Sequence, residues 1–260
     1  MLLTAGCSFV FGDELEGYDT VPPTHWPLTF THQLAEKLGM DYVNLGSCGG
    51  GNDRIFRDIT DHLTNPNLEN PTHMVVLWSA WQRAEICEMI EDAEEKRLDI
   101  NRKISCSQYS PERIWNIRHK NSRVTLTAYY DLAYKEHTDI IHGLTKMKTV
   151  QLLCDTLGIK LIQGVFHQRC WSNLLKIIGP SMAKDFKETW PTGWVEMIEW
   201  IKNTIGSLPK TSRVGLGSKY PDLYSLAEKN DDIKPRAHPG EISNAEYANI
   251  LYDIFLNDME

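Results

Sequence analysis

The stretch Leu2-Leu3-Thr4-Ala5-Gly6-Cys7-Ser8-Phe9-Val10-Phe11-Gly12-Asp13-Glu14 opens as a strand and runs straight into a turn of small residues. Met1 to Ala5 reads as a short buried strand. Gly6 and Gly12 let the backbone turn sharply on either side of Ser8. A serine on a tight turn at the carboxyl end of a strand is exposed and held still, as a nucleophile must be. The plainer reading of the same residues is a Gly-Ser turn that closes a strand. The rest of the chain decides between the two.

Outward from this stretch, strands and helices alternate. Trp26-Pro27 starts a helix with proline at an early position, Phe30, Leu34 and Leu38 share one face, and Gly39 ends it. Asp41 to Leu45 is a second strand, running into Gly46-Ser47-Cys48-Gly49-Gly50-Gly51. A helix follows with Asn52 as N-cap and Ile55, Phe56, Ile59 and Leu63 as its buried stripe. His73 to Trp78 is apolar throughout, as in a central strand of a parallel sheet. Beyond it the pattern weakens from Ala84 to Arg123, where Glu91 to Arg97 reads as a solvated charge run. A long helix over Leu126 to Leu157, a fourth strand over Ile159 to Phe166, helices over Trp190 to Ile205 and Ser243 to Leu256, and a loop over Lys210 to Asp232 complete the reading. This alternation predicts a doubly wound α/β sheet. Ligands of such sheets lie beyond the carboxyl ends of the strands, so Ser8, the glycine run and Ser79-Ala80-Trp81-Gln82-Arg83 are expected along one edge. His167-Gln168-Arg169, past the fourth strand, belongs to the same edge, either as pocket wall or as surface loop.

The totals narrow the function. The 260 residues suffice for one sizeable core, and one domain over residues 1–260 is expected, with insertions at about 84–125 and 168–230. With 42% hydrophobic and 24% charged residues the composition is that of a globular protein. A formal net charge of -8 leaves no excess of Lys and Arg to neutralise phosphates, which argues against nucleic acid as a partner. The six cysteines include no C-x-x-C pair and read as free thiols, so no metal site is expected. No apolar run reaches the length of a membrane span, and no basic segment followed by an apolar core opens the sequence. A cytoplasmic location without a signal peptide is therefore expected. The glycine run fits neither G-x-G-x-x-G nor G-x-x-x-x-G-K-[ST], which leaves a nucleotide site little support.

Three features fall in order: Gly6-x-Ser8-x-x-x-Gly12 after the first strand, Asn44-Leu45-Gly46-Ser47-Cys48-Gly49 after the second, and Ala237-His238-Pro239 before the last helix. A serine nucleophile needs a base that titrates near neutrality, which histidine supplies, and N–H donors aimed at the oxyanion, which a glycine loop leading into a helix supplies. In this order and spacing the chain resembles the SGNH (GDSL-like) hydrolases. Among them it is most similar to phage-type and bacterial members with Gly-Cys-Ser-Phe in the first block and a second block like Gly49-Gly50-Gly51-Asn52-Asp53-Arg54-Ile55. The resemblance implies a flavodoxin-like three-layer sandwich, a central parallel sheet with helices on both faces. It implies Ser8 as nucleophile and first oxyanion donor, the Gly49 N–H as second donor and His238 as base, with no metal or organic cofactor. The implied substrate is a small ester, such as an O-acetylated sugar or glycan, and a phage-encoded member would be associated with the virion.

The chain departs from the family pattern at two points. The third block lacks its asparagine, and Ser79 or Gln82 is the candidate donor in its place, with Arg83 and Asn52 as further candidate substrate contacts. The aspartate three residues before the histidine is Pro235, so either Asp231 or Asp232 reaches His238, or a backbone carbonyl at Pro235 holds its tautomer. These departures keep a second reading open, an SGNH fold retained as a binding or structural module.

Overall fold

The computed structural model describes residues 1–20, 24–80, 84–89, 104–109, 136–167, 192–207, 213–214 and 220–257. Strand β1 (Leu2–Gly6) is buried along its whole length, with a parallel neighbour on each side and a packed core over each face. It pairs with β2 (Tyr42–Gly46) and with β3 (His73–Trp78). The sheet continues through β6 (Lys160–Val165) to the two-residue β7 (Arg213–Val214), in the order β2-β1-β3-β6-β7 with every pair parallel. Strands β4 (Ala84–Met89) and β5 (Ile104–Tyr109) form a separate antiparallel pair. Within the parallel sheet the chain winds one way from β1 to β2 and the other way from β1 to β3. This is the flavodoxin-like doubly wound order, and its switch point lies at the carboxyl ends of β1 and β3.

Alternation along the strands supplies two cores. Leu3 and Ala5 of β1, Met74, Val76 and Trp78 of β3, and Leu161 and Val165 of β6 face one side. They meet Ile55 and Ile59 of α3 (Asn52–Thr64), Leu144, Met147 and Val150 of α4 (Glu136–Leu157) and Ile201 of α5 (Thr192–Ser207). Leu2, Val75, Leu77 and Ile162 face the other side. There they meet Phe30 and Leu34 of α2 (Phe30–Leu38), Leu223 and Leu226 of α6 (Leu223–Lys229) and Tyr247, Leu251 and Ile254 of α7 (Glu241–Asn257). Thr4 shares this second face without breaking it, because its hydroxyl is hydrogen-bonded to that of Thr31 on α2 at 2.9 Å. The protein is a three-layer α/β sandwich, with helices on both faces of a parallel sheet.

Several elements differ from the sequence reading. Trp26-Pro27 lies in a 3-10 turn (Trp26–Leu28), and α2 starts only after Thr29, whose hydroxyl accepts the His32 N–H. Asn52 is the first residue of α3 and Gly51 its N-cap, because the Asn52 side chain is committed to Ser79. The expected loop over 210–232 contains β7 and α6, the latter capped by Asp222, whose carboxylate accepts the Ser225 N–H. The weak stretch after Ala84 contains the β4–β5 pair, whose mixed polar sequence gives no apolar run to detect. The described part of the long helix starts at Glu136, and residues 126–135 lie outside the described residues, as does most of both expected insertions.

Candidate active site

The turn after β1 is shaped by contacts that exclude side chains. A Cβ on Gly6 would lie 2.3 Å from Val10 Cγ2 and 3.0 Å from the Leu77 carbonyl, so β1 passes into the short helix α1 (Ser8–Phe11) only through glycine. The end of β2 leans on the same helix, where a Cβ on Gly46 would lie 2.4 Å from Phe11 N. Asn44 ties the two together: its amide donates to the Val10 carbonyl at 2.8 Å and its side-chain oxygen accepts the Gly46 N–H at 2.7 Å. Ser8 is the first residue of α1 and, contrary to the expectation of an exposed serine, is buried at 5% exposure, because the α1 turn folds it against His238.

His238 reaches Ser8 from the loop before α7. Its Nε2 is 2.8 Å from Ser8 Oγ, and its Nδ1 is 2.8 Å from Glu14 Oε2. A carboxylate at Nδ1 fixes the tautomer: Nδ1 carries the hydrogen and donates to Glu14, and Nε2 accepts from the Ser8 hydroxyl. Serine, imidazole and carboxylate therefore form one hydrogen-bonded chain whose two ends lie in the opening stretch of the sequence. Both Glu14 oxygens also accept the Arg236 N–H at 2.9 Å. Burial pushes the Glu14 carboxyl up, but the bonds from His238 and from the Arg236 backbone outweigh it and hold the carboxyl below its ordinary range. Glu14 and Ala237 both sit at φ 69, a left-handed conformation that side chains seldom adopt. Strained residues thus flank the imidazole on the acid side and on its own chain.

This corrects the sequence reading of the acid. Neither Asp231 nor Asp232 orients His238, and no carbonyl at Pro235 takes its place, because Nδ1 is occupied by Glu14. The Asp232 carboxylate instead accepts the Ser243 N–H at 2.8 Å, and its carbonyl accepts the Gly240 N–H at 2.7 Å. It shapes the loop that carries His238. The signal for Glu14 was present in the first stretch, an acid two residues past a glycine turn, but proximity in sequence directs attention to the residues just before the histidine.

Gly49 sits at φ 75 with open space where a Cβ would be. Its neighbour Gly50 lies against the end of β1, since a Cβ there would be 3.3 Å from the Gly6 carbonyl and 3.4 Å from Cys7 Cα. The glycine run is thus laid beside the Ser8 turn. Among the described residues no acceptor takes the N–H of Ser8 or of Gly49. Ser79 and Asn52 are bound to each other: the Asn52 side-chain oxygen accepts the Ser79 N–H at 2.7 Å and its amide donates to the Ser79 carbonyl at 3.2 Å. The Ser79 hydroxyl is buried without a partner among the described residues. Gln82, Arg83, Gln168 and Arg169 lie outside the described residues. His167 closes the same edge with its ring stacked on Tyr224, centroids 4.2 Å apart. Cys7, Cys48 and Cys154 are free thiols, and Cys48 is pushed up to about 11 by burial and by the Asp13 carboxylate beside it.

Fold and site define a parallel α/β protein with a serine, a histidine and a glutamate aligned at the carboxyl edge of its sheet. The chain belongs to the family of unknown function DUF6071, which it matches over residues 23–161. That span takes in β2, α3 and β3 and leaves Ser8, Glu14 and His238 outside it. It is 29% identical over 68 residues to an argininosuccinate synthase from Jannaschia sp. (strain CCS1), a match spanning 26% of this chain and 16% of that protein. It is also similar to three solved structures. A protein assigned to the lipolytic G-D-S-L family from Desulfitobacterium hafniense DCB-2 has a TM-score of 0.46 at 11% identity, with 97% of this chain and 98% of that chain covered. A member of the lipolytic G-D-S-L family from Veillonella parvula DSM 2008 has 0.43 at 12%, covering 98% of each chain. The lipase Lip_vut3 from a goat rumen metagenome has 0.45 at 10%, covering 100% of this chain and 99% of that one.

Proposed function

We propose that this protein is a serine hydrolase that cleaves a small ester through an acyl-enzyme on Ser8. The carrying observation is the chain Glu14–His238–Ser8, with 2.8 Å at both hydrogen bonds. In this reading Ser8 Oγ forms a bond to the ester carbonyl carbon while its proton passes to His238 Nε2. The tetrahedral oxyanion is held by the N–H groups of Ser8 and Gly49. As the intermediate collapses, the ester C–O bond breaks and the proton on Nε2 goes to the leaving oxygen. Water then attacks the acyl carbon and gives one proton to Nε2; the bond from the acyl carbon to Ser8 Oγ breaks, that proton passes from Nε2 to Ser8 Oγ, and the acid leaves. Glu14 holds the tautomer and balances the imidazolium that forms. An O-acetylated sugar or glycan is the proposed substrate class, by analogy with the SGNH hydrolases.

The test is labelling of the intact protein with a fluorophosphonate probe, together with hydrolysis of short p-nitrophenyl esters. Labelling of Ser8, lost in both Ser8→Ala and His238→Ala, is the expected result. A folded wild type that neither labels nor hydrolyses any ester overturns the proposal. One observation favours the alternative, a binding or structural module on the same fold. The Asn52 amide is spent on the Ser79 carbonyl, so of the candidates among the described residues the buried Ser79 hydroxyl alone is left to serve as the third donor expected of an active site of this type.

A further inference from the structure

Asp13 lies on the side of His238 away from Glu14. Its Oδ2 is 3.6 Å from His238 Nε2, the nitrogen that meets Ser8 Oγ at 2.8 Å. The turn holds it there: the Asp13 N–H donates to the Ser8 carbonyl at 3.0 Å, and Arg236 Nη2 is 3.5 Å from Asp13 Oδ1. Asp13 is 9% exposed and His238 8%, so little solvent screens the pair.

We infer that Asp13 is a positioning residue for proton transfer, a second carboxylate that becomes a partner of His238 only once Nε2 carries the proton taken from Ser8. The inference rests on the hydrolase reading above. Before transfer, Nε2 offers a lone pair, and a carboxylate facing a lone pair gains nothing. After transfer, Nε2 bears a hydrogen and the ring a positive charge, and the same carboxylate attracts both. An interaction that grows along the reaction lowers its barrier, whereas one present equally at the start does not. The separation also matters. At 3.6 Å the carboxylate is beyond hydrogen-bond length, so it stabilises the charge without capturing the proton that must go on to the leaving oxygen.

Among the described residues, the charged and titratable groups around the imidazole come from three segments. Asp13 and Glu14 follow α1, and Tyr18 and Cys48 stand behind Asp13 and Arg236. Arg236 is ion-paired with both carboxylates. Lys234 donates its N–H to the His238 carbonyl and pairs its ammonium with Glu241.

The experiment measures the rate of fluorophosphonate labelling against pH for wild type, Asp13→Asn and Arg236→Gln, with the His238 imidazole followed by NMR in the same proteins. In Asp13→Asn the plateau rate is expected to fall about tenfold, and the acidic limb and NMR midpoint to move down by about one pH unit. Arg236→Gln removes the cation that offsets the carboxylates and should move both upward. A wild type that labels, beside an Asp13→Asn protein with unchanged limb and midpoint, overturns the role of Asp13 and leaves the hydrolase reading intact. A wild type that does not label at any pH overturns the hydrolase reading and the Asp13 role with it.

Discussion

Two pairs of adjacent acids can be set side by side, Asp13-Glu14 and Asp231-Asp232. The second pair is close to His238 in sequence, and the first is more than 220 residues away. Yet Glu14 bonds the imidazole, across 224 positions of sequence, while the Asp232 carboxylate accepts the backbone N–H of nearby Ser243. Each pair has one member in the left-handed region, Glu14 at φ 69 and Asp231 at φ 50. What separates them is where the turn sends the side chain. The Gly12 turn aims Glu14 at the carboxyl edge of the sheet, whereas Asp232 is turned to the start of α7. An acid's role follows from the direction of its turn, not from its distance along the chain.

Glu14→Gln should change the protein most. An amide can neither enforce the tautomer nor balance the imidazolium, so ester turnover should fall about a thousandfold or more, roughly 4 kcal/mol in the barrier. Turnover within tenfold of wild type would show that Glu14 is only a structural partner of Arg236. The same residue makes a pH prediction. Its folded-state carboxyl is held below the ordinary 4.5, so its stabilising contribution is complete above that value and is lost as the pH falls through the lowered one. Glu241 and Glu246 are lowered as well and share this acid loss. Unfolding midpoints measured from about pH 6 down to about pH 3 should drop in wild type and drop less steeply in Glu14→Gln.

Next in size is Gly240→Ala. A Cβ there would stand 2.0 Å from Asp232 Oδ1 and 2.8 Å from Lys234 Cε. Asp232 would have to leave the Ser243 N–H, and the fold should lose about 1–3 kcal/mol in denaturant unfolding. Asp232→Asn keeps the shape and removes the charge from that bond, so it should cost about 1 kcal/mol of stability and change turnover by less than about fivefold. A several-hundredfold loss of turnover in that variant would erase the distinction between the pairs. Asp231→Asn is the smallest, with about 0.5 kcal/mol or less expected, since its left-handed backbone suits asparagine as well as aspartate.

Strand identity was legible where a single physical rule governs it. His73 to Trp78 is apolar at successive positions because a central parallel strand is covered on both faces, and the structure begins and ends that strand at the same two residues. β1 and β2 are shifted by one residue at their ends, and β6 is shortened by one at each end. Asn52 shows where local rules stop. Asparagine before an amphipathic stripe has the chemistry of an N-cap, but the partner that claimed it, Ser79, arrives from another strand. α6 was missed although Asp222 before Leu223 is a capping signal, because seven residues give too little periodicity to register.

The α/β alternation, the serine turn after the first strand, the glycine run after the second and the histidine before the last helix are all written in the residue order. Each follows from short-range physics: burial of apolar runs, the freedom of glycine, the capping of helices. Which acid meets His238, that Asp13 stands at the opposite nitrogen, and that Ser79 is tied to Asn52 emerge from the folded chain. Those are contacts between distant segments whose side-chain directions depend on left-handed turns and on the register of β1 against β2 and β3. A change of one residue in either would leave the sequence pattern intact and point Glu14 elsewhere.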